Sequence, residues 1–166
     1  MSIVRIFALL SYLTIFGASV LGASDLRRKS GTKIECVAIK YMGESNFKTI
    51  GEYFGSRREH QYFRCVARDA ENGRAGTYFI VGLSESVEKL PPKTSARIHL
   101  IMSIKEGVRI FECKIPGGKK FPLVSEIYCG IVSEKIDISQ IKAWNVEFID
   151  GKGNVLFSRC SYMWAL

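Results

Sequence analysis

The chain has 166 residues, 47% of them hydrophobic and 24% charged, which is enough for one domain with a sizeable buried core. Its 24 lysines and arginines against 16 acidic residues give a net charge of +8, a balance that favours polyanionic partners but also serves solubility. No G-x-S-x-G, Walker loop or GxGxxG occurs, no CxxC or Cys-His cluster offers zinc its ligands, and no Asn-x-Ser/Thr sequon is present. The common hydrolases, a metal centre and N-glycosylation are therefore not expected, and no cofactor is implied.

The first segment reads as an export signal. Met1 to Arg5 carries one positive charge, Ile6 to Phe16 is apolar, and Gly17 to Ser24 is rich in small residues. A membrane-spanning helix needs roughly 20 apolar residues, whereas this run is broken by Ser11 and Thr14 and then by glycine and alanine. Cleavage near Gly22, or a residue or two later, divides the chain into a signal peptide (1–22), a basic flexible N-terminus (23–33, containing DLRRKSGTK) and a single domain (34–166). The product is expected to be secreted, and no later apolar stretch is long enough to cross a membrane.

Ile34 to Tyr41 and Gln61 to Ala67 read as strands, and Asn72-Gly73 predicts a hairpin returning into Thr77 to Val81. Ser45 to Phe54, with Phe47, Ile50 and Phe54 at helical spacing, and Ser84 to Leu90, stopped by Pro91-Pro92, are candidate short helices. Further strands are expected over Ala96 to Ile104, Val108 to Lys114, Phe121 to Val132, Ala143 to Ile149 and Asn154 to Tyr162. Strands follow strands without helical crossovers, which predicts an α+β fold with one or two short helices packed on a twisted antiparallel β-sheet. The five cysteines at 36, 65, 113, 129 and 160 are disulfide candidates in a secreted domain, and their odd number leaves one spare.

Phe63-Arg64-Cys65, a short helix, Lys105-Glu106-Gly107-Val108, Phe121-Pro122-Leu123, and Asn145-Val146-Glu147-Phe148 before a glycine turn and Val155-Leu156-Phe157 follow one another in a suggestive order. This order is similar to the small secreted fungal guanyl-specific ribonucleases, and it resembles still more the ribonuclease-like secreted effectors of powdery mildews. The resemblance covers about residues 62 to 164, or begins at Cys36 in a second register, and it implies a microbial ribonuclease-like scaffold. It also implies a Cys65–Cys160 disulfide, or Cys36–Cys160 in the second register.

Cleaving RNA through its 2′-hydroxyl needs a base, an acid and a cation for the developing phosphate charge. Where the family places its catalytic glutamate this chain has Lys120, which is protonated near neutral pH, and where the arginine would stand it has Asn145. No histidine follows His99. His99, near a family catalytic position, reads first as a structural histidine in the apolar stretch ARIHLIM, and His60 as a solvated polar residue. No ribonuclease activity and no catalytic residue are therefore expected.

A surface for RNA or a protein partner is expected at Lys119, Lys120, Arg97, His99, Arg64 and Asn145, with Arg57, Arg58 and Arg68 adding charge. Tyr62, Phe63, Tyr78 and Trp144 could stack bases there, or fill the core. The resemblance implies a monomeric virulence effector of a plant-pathogenic fungus that binds a host plant protein or host RNA. Translocation into the host cell and capture by an immune receptor stay open. An active ribonuclease and an unrelated disulfide-stabilised β-rich inhibitor or carbohydrate-binding protein are the alternatives.

Overall fold

The computed structural model describes residues 31–48, 52, 55, 64–103, 105–117 and 123–165. Among these residues eight strands carry the fold: β1 (Ile34–Met42), β2 (Cys65–Arg68), β3 (Gly76–Leu83), β4 (Ser95–Ile101), β5 (Arg109–Lys114), β6 (Glu126–Ile131), β7 (Ala143–Ile149) and β8 (Val155–Cys160). Alternation of side chains decides which face each strand buries. In β4, Ala96, Ile98 and Leu100 are fully buried while Arg97, His99 and Ile101 turn outward. Strand β7 likewise buries Val146 and Phe148 and turns Asn145 and Glu147 to the other side. Strand β3 is apolar on both faces and takes a central place.

The strands form two four-stranded sheets, β1-β3-β6-β2 and β5-β4-β7-β8. They face each other across one core, to which the first contributes Phe79, Val81, Ile127 and Ile131 and the second Ile98, Leu100, Val146 and Phe148. Each such side chain contributes about 1.5–3 kcal/mol on leaving water. All pairings are antiparallel except β2 with β6, which runs parallel from Cys65↔Ile127 to Arg68↔Gly130. Asp69 holds that parallel pair together, its carboxylate accepting from the amides of Val132 (2.8 Å) and Ser133 (3.2 Å) and from the Ser133 hydroxyl. Across the other seam Arg159 of β8 donates to the carbonyls of Ile34 (3.1 Å) and Glu35 at the start of β1.

A smaller apolar cluster lies on the outer side of the first sheet, where Phe47 meets Tyr78 with ring centroids 4.7 Å apart. The Tyr78 ring lies across its strand partner Gly130, and its hydroxyl donates to the Arg74 carbonyl (2.7 Å) and accepts from Arg68 Nε (2.9 Å).

This architecture corrects the expected α+β, ribonuclease-like fold. Strands make up 46% of the described residues, in two sheets, and no helix of seven or more residues occurs among them. Of the helix predicted over Ser84 to Leu90 only the 3-10 turn Val87–Lys89 forms. The backbone there bonds outward, Val87 N to Val124 O and Leu83 N to Ser125 O (both 2.8 Å), and a segment that short cannot repay helix nucleation by itself. The helix predicted from Ser45 begins as a 3-10 turn, Glu44–Phe47, and most of its remainder to Phe54 lies outside the described residues.

The chain bends at Asn72-Gly73, with Gly73 at φ +96°, but the expected hairpin does not form and the strands on either side do not pair. Strand β6 lies between them, because it offers β3 a ladder from Thr77↔Ile131 to Gly82↔Glu126 that the four-residue β2 cannot match. Strand β6 also starts later than expected. Leu123 is 92% exposed with φ 65°, so the strand opens at Glu126 instead of running from Phe121; Phe121 and Pro122 themselves lie outside the described residues.

All five cysteines are unbonded, so neither expected disulfide is present. Cys65 is buried at the first sheet's β2 edge, whereas Cys160 is exposed on β8, which meets β1 at the opposite seam. Cys36 and Cys160 are both exposed and flank the seam that Arg159 closes, but their sulfurs are not at bonding distance.

Candidate functional site on the outer face of the second sheet

Three of the expected site residues come together. His99 on β4 pairs directly with Asn145 on β7, and Arg97 lies opposite Glu147 one step along the same face. His99 Nε2 stands 3.1 Å from Glu147 Oε2, while Asn145 Nδ2 donates to Glu147 Oε1 (3.0 Å). The carboxylate is thus held from both sides. Beside it Arg97 lies 3.7 Å from Glu112 of β5, whose other oxygen accepts from Ser95 Oγ (2.8 Å). One end of the face is covered by the 3-10 turn Tyr162–Trp164, which is tied down where Ser161 N donates to Trp144 O (2.9 Å) and Trp144 N to Ser161 Oγ (3.0 Å). This places the Trp164 indole edge-on to the His99 ring, at 5.8 Å.

The remaining expected residues fall elsewhere. Arg64 lies on the outer side of the first sheet, its guanidinium 5.6 Å from the Tyr128 ring, on the opposite face of the sandwich. Lys119 and Lys120, like Tyr62, Phe63, Arg57 and Arg58, lie outside the described residues. Tyr78 is fully buried and Trp144 packs into the main core 6.1 Å from Phe79, so neither presents a ring for a base to stack on.

Charge is distributed unevenly between the sandwich and the rest of the chain. Of the 24 lysines and arginines 16 fall among the described residues, with 14 of the 16 acidic residues, so the sandwich is nearly neutral. The basic excess sits in positions such as Arg27, Arg28, Lys29, Arg57, Arg58, Lys119 and Lys120.

An apolar patch adjoins the polar cluster. The described residues include seven strongly exposed large apolar side chains, and four of them, Val108 (49%), Ile110 (58%), Tyr162 (78%) and Met163 (60%), belong to β5, to the residue before it or to the C-terminal turn. Ile110 is the cross-strand partner of His99, and Met163 borders a groove with Ile101 and Ala143 on the same face, rimmed by Lys105 and Lys142. The sequence reading missed this patch and the carboxylates Glu112 and Glu147. Their signal was the polar or exposed residue at every second strand position, but only the register shows that these positions share one surface.

Of the five thiols, Cys160 is exposed on β8 opposite Asn145 and shares this face, whereas Cys65, Cys113 and Cys129 are buried. Burial pushes the Cys65 and Cys113 thiols up to about 12, with Asp69 and Glu112 adding to the effect at Cys113, and drives Cys129 well above its ordinary value. Such thiols stay protonated and are poor nucleophiles. Among the described residues no hydroxyl or thiol hydrogen-bonds to His99.

Fold and face together define a two-sheet β-sandwich with an exposed, mixed polar and apolar outer surface. No family model, no curated protein and no solved structure matches this chain.

Proposed function

We propose that the chain is a secreted virulence effector of a plant-pathogenic fungus that acts without catalysis, by binding a host protein through the outer face of its second sheet. The export-signal layout of residues 1–22 supports secretion. The observation that carries the binding reading is the exposure of Ile110 and Met163 on this face, Ile110 opposite His99 and Met163 on a groove rimmed by Lys105 and Lys142. Exposed apolar clusters with a polar border are the usual composition of protein-binding surfaces. Glu147, held between His99 and Asn145 at this end of the face, repels a phosphate backbone, which favours a protein over RNA as its occupant.

The test is capture of interactors from host plant tissue by three proteins: wild type, the double variant Ile110→Asp/Met163→Asp, and Lys119→Glu/Lys120→Glu. Central apolar contacts are worth about 2 kcal/mol or more each, so the patch variant should lose its host protein by well over tenfold while the lysine variant keeps it. Retention by the patch variant, with RNA captured instead and lost on reversing the lysines, would overturn the reading.

A further inference from the structure

The other end of the same sheet carries a cavity of about 540 Å³, between the turn before β4, the end of β5 and the β7–β8 turn. Its size is that of a small-molecule site. Three cationic side chains line it from separate directions: Lys93 from the turn, Arg97 from β4 and Lys114 from the end of β5. Lys93 and Lys114 are both exposed, and neither is in an ion pair among the described residues.

The two acidic groups on the wall are already engaged. Glu112 accepts from Ser95 and lies beside Arg97, which fixes where the guanidinium points. Asp150 is spent in its own turn, where it accepts from the Lys152 amide (2.8 Å) and from the amide (2.9 Å) and side chain (3.0 Å) of Asn154.

The backbone places Lys93 here against its preference. Pro91-Pro92-Lys93-Thr94 makes a tight turn closed by Thr94 Oγ1 donating to Pro91 O (2.7 Å), with Lys93 at φ 61°, a conformation that suits glycine. Gly151 in the β7–β8 turn lets the lysine pack directly against it, since a Cβ there would stand 3.1 Å from Lys93 Cβ. A lysine kept where glycine would fit better, aimed beside an open cavity, marks a position where the side chain has a task. Ile115 and Ile149 complete the wall with apolar surface.

We propose that this cavity binds a phosphate monoester of a small organic molecule of nucleotide size. The phosphate dianion would lie among Lys93, Arg97 and Lys114, and the organic part against Ile115 and Ile149. A compact ammonium is a point-charge phosphate ligand, and a dianion matches the two lysines that have no ion-pair partner among the described residues. The inference does not rest on the host-protein reading, which uses the opposite end of the face.

The test uses protein expressed from the full-length sequence in a secreting yeast and titrated at low ionic strength, with amide shifts followed by NMR. The probes are adenosine 5′-monophosphate, adenosine, inorganic phosphate and acetate. The monophosphate should saturate with shifts centred on Thr94, Lys114 and Gly151, inorganic phosphate should bind the same amides at least about tenfold more weakly, and adenosine and acetate should not saturate. Lys93→Gly should lower monophosphate affinity at least about tenfold while raising the unfolding temperature, a pair of opposite effects that loss of fold cannot produce. Ile110→Asp should leave this binding unchanged, so that failure of the host-protein reading stays distinguishable. Absence of saturable monophosphate binding, acetate binding as well as the phosphates, or wild-type affinity in Lys93→Gly would each overturn the proposal.

Discussion

Replacing Gly130 with alanine tests how the outer side of the first sheet is packed. A Cβ at this position would lie 2.4, 2.7 and 3.0 Å from three ring carbons of Tyr78, closer than carbon atoms approach without displacement. The ring has no room to retreat, because Tyr78 is fully buried, its hydroxyl is bonded to Arg74 and Arg68, and its ring packs on Phe47. Overpacking a well-filled site costs about 1–3 kcal/mol, and a ring pinned at both ends puts this substitution near the top of that range. At roughly 4 °C per kcal/mol for a domain of this size, the unfolding temperature should fall by on the order of 10 °C. Urea unfolding followed by the fluorescence of Trp144, which sits in the main core, measures the effect directly. Tyr78→Ala alone should cost about 3–5 kcal/mol, but in that background Gly130→Ala should add less than about 0.5, giving a coupling of about 2–3 kcal/mol. Equal costs for Gly130→Ala in both backgrounds, or a cost under about 0.5 kcal/mol in the wild type, would refute the packing argument.

Two further predictions follow from the ionisable groups. Hydrogen bonds from the Asn154 side chain and from the Asn154 and Lys152 amides hold the Asp150 carboxyl below its ordinary value of 3.8, so the stability it contributes is present above that value and lost as pH falls through the lower folded one. Asp150→Ala should therefore lower the unfolding temperature at neutral pH and flatten its decline below about pH 4, as read by thermal melts across pH; an unchanged acid limb would count against the Asp150 turn. Under reducing conditions a thiol reagent should modify Cys36 and Cys160 quickly, and Cys65, Cys113 and Cys129 only on unfolding, since the last three are buried and protonated. Fast reaction of a third thiol in the folded protein would contradict that arrangement.

Much of the strand content was legible in the sequence. The expected segments at Ile34, Thr77, Ala96, Val108, Ala143 and Asn154 fall on β1, β3, β4, β5, β7 and β8 to within a few residues, because alternating or continuous apolar runs between turn residues leave the backbone little other choice. The helix at Ser84 was misread because a serine cap before Pro91-Pro92 encloses too few residues, and the Ser84 and Val87 amides found partners at Lys33 and Val124 instead. The hairpin at Asn72-Gly73 was misread because a turn fixes local reversal but not which strand will accept the next one. Of the residues that share the candidate face, the sequence reading named Arg97, His99 and Asn145 but not Glu112, Glu147 or the exposed apolar side chains.

By itself, then, the sequence determined the local periods: short strands with one apolar face, and an excess of basic residues concentrated at a few positions. Tertiary structure alone decided how the strands are shared between two sheets, that Arg64 and Arg97 face opposite sides of the sandwich, and that His99, Asn145 and Glu147 meet on one of them. The reason is that side-chain alternation is a property of neighbouring residues, while sheet order and register are settled by competition among distant strands for the same edge, and that competition leaves no mark at any one position.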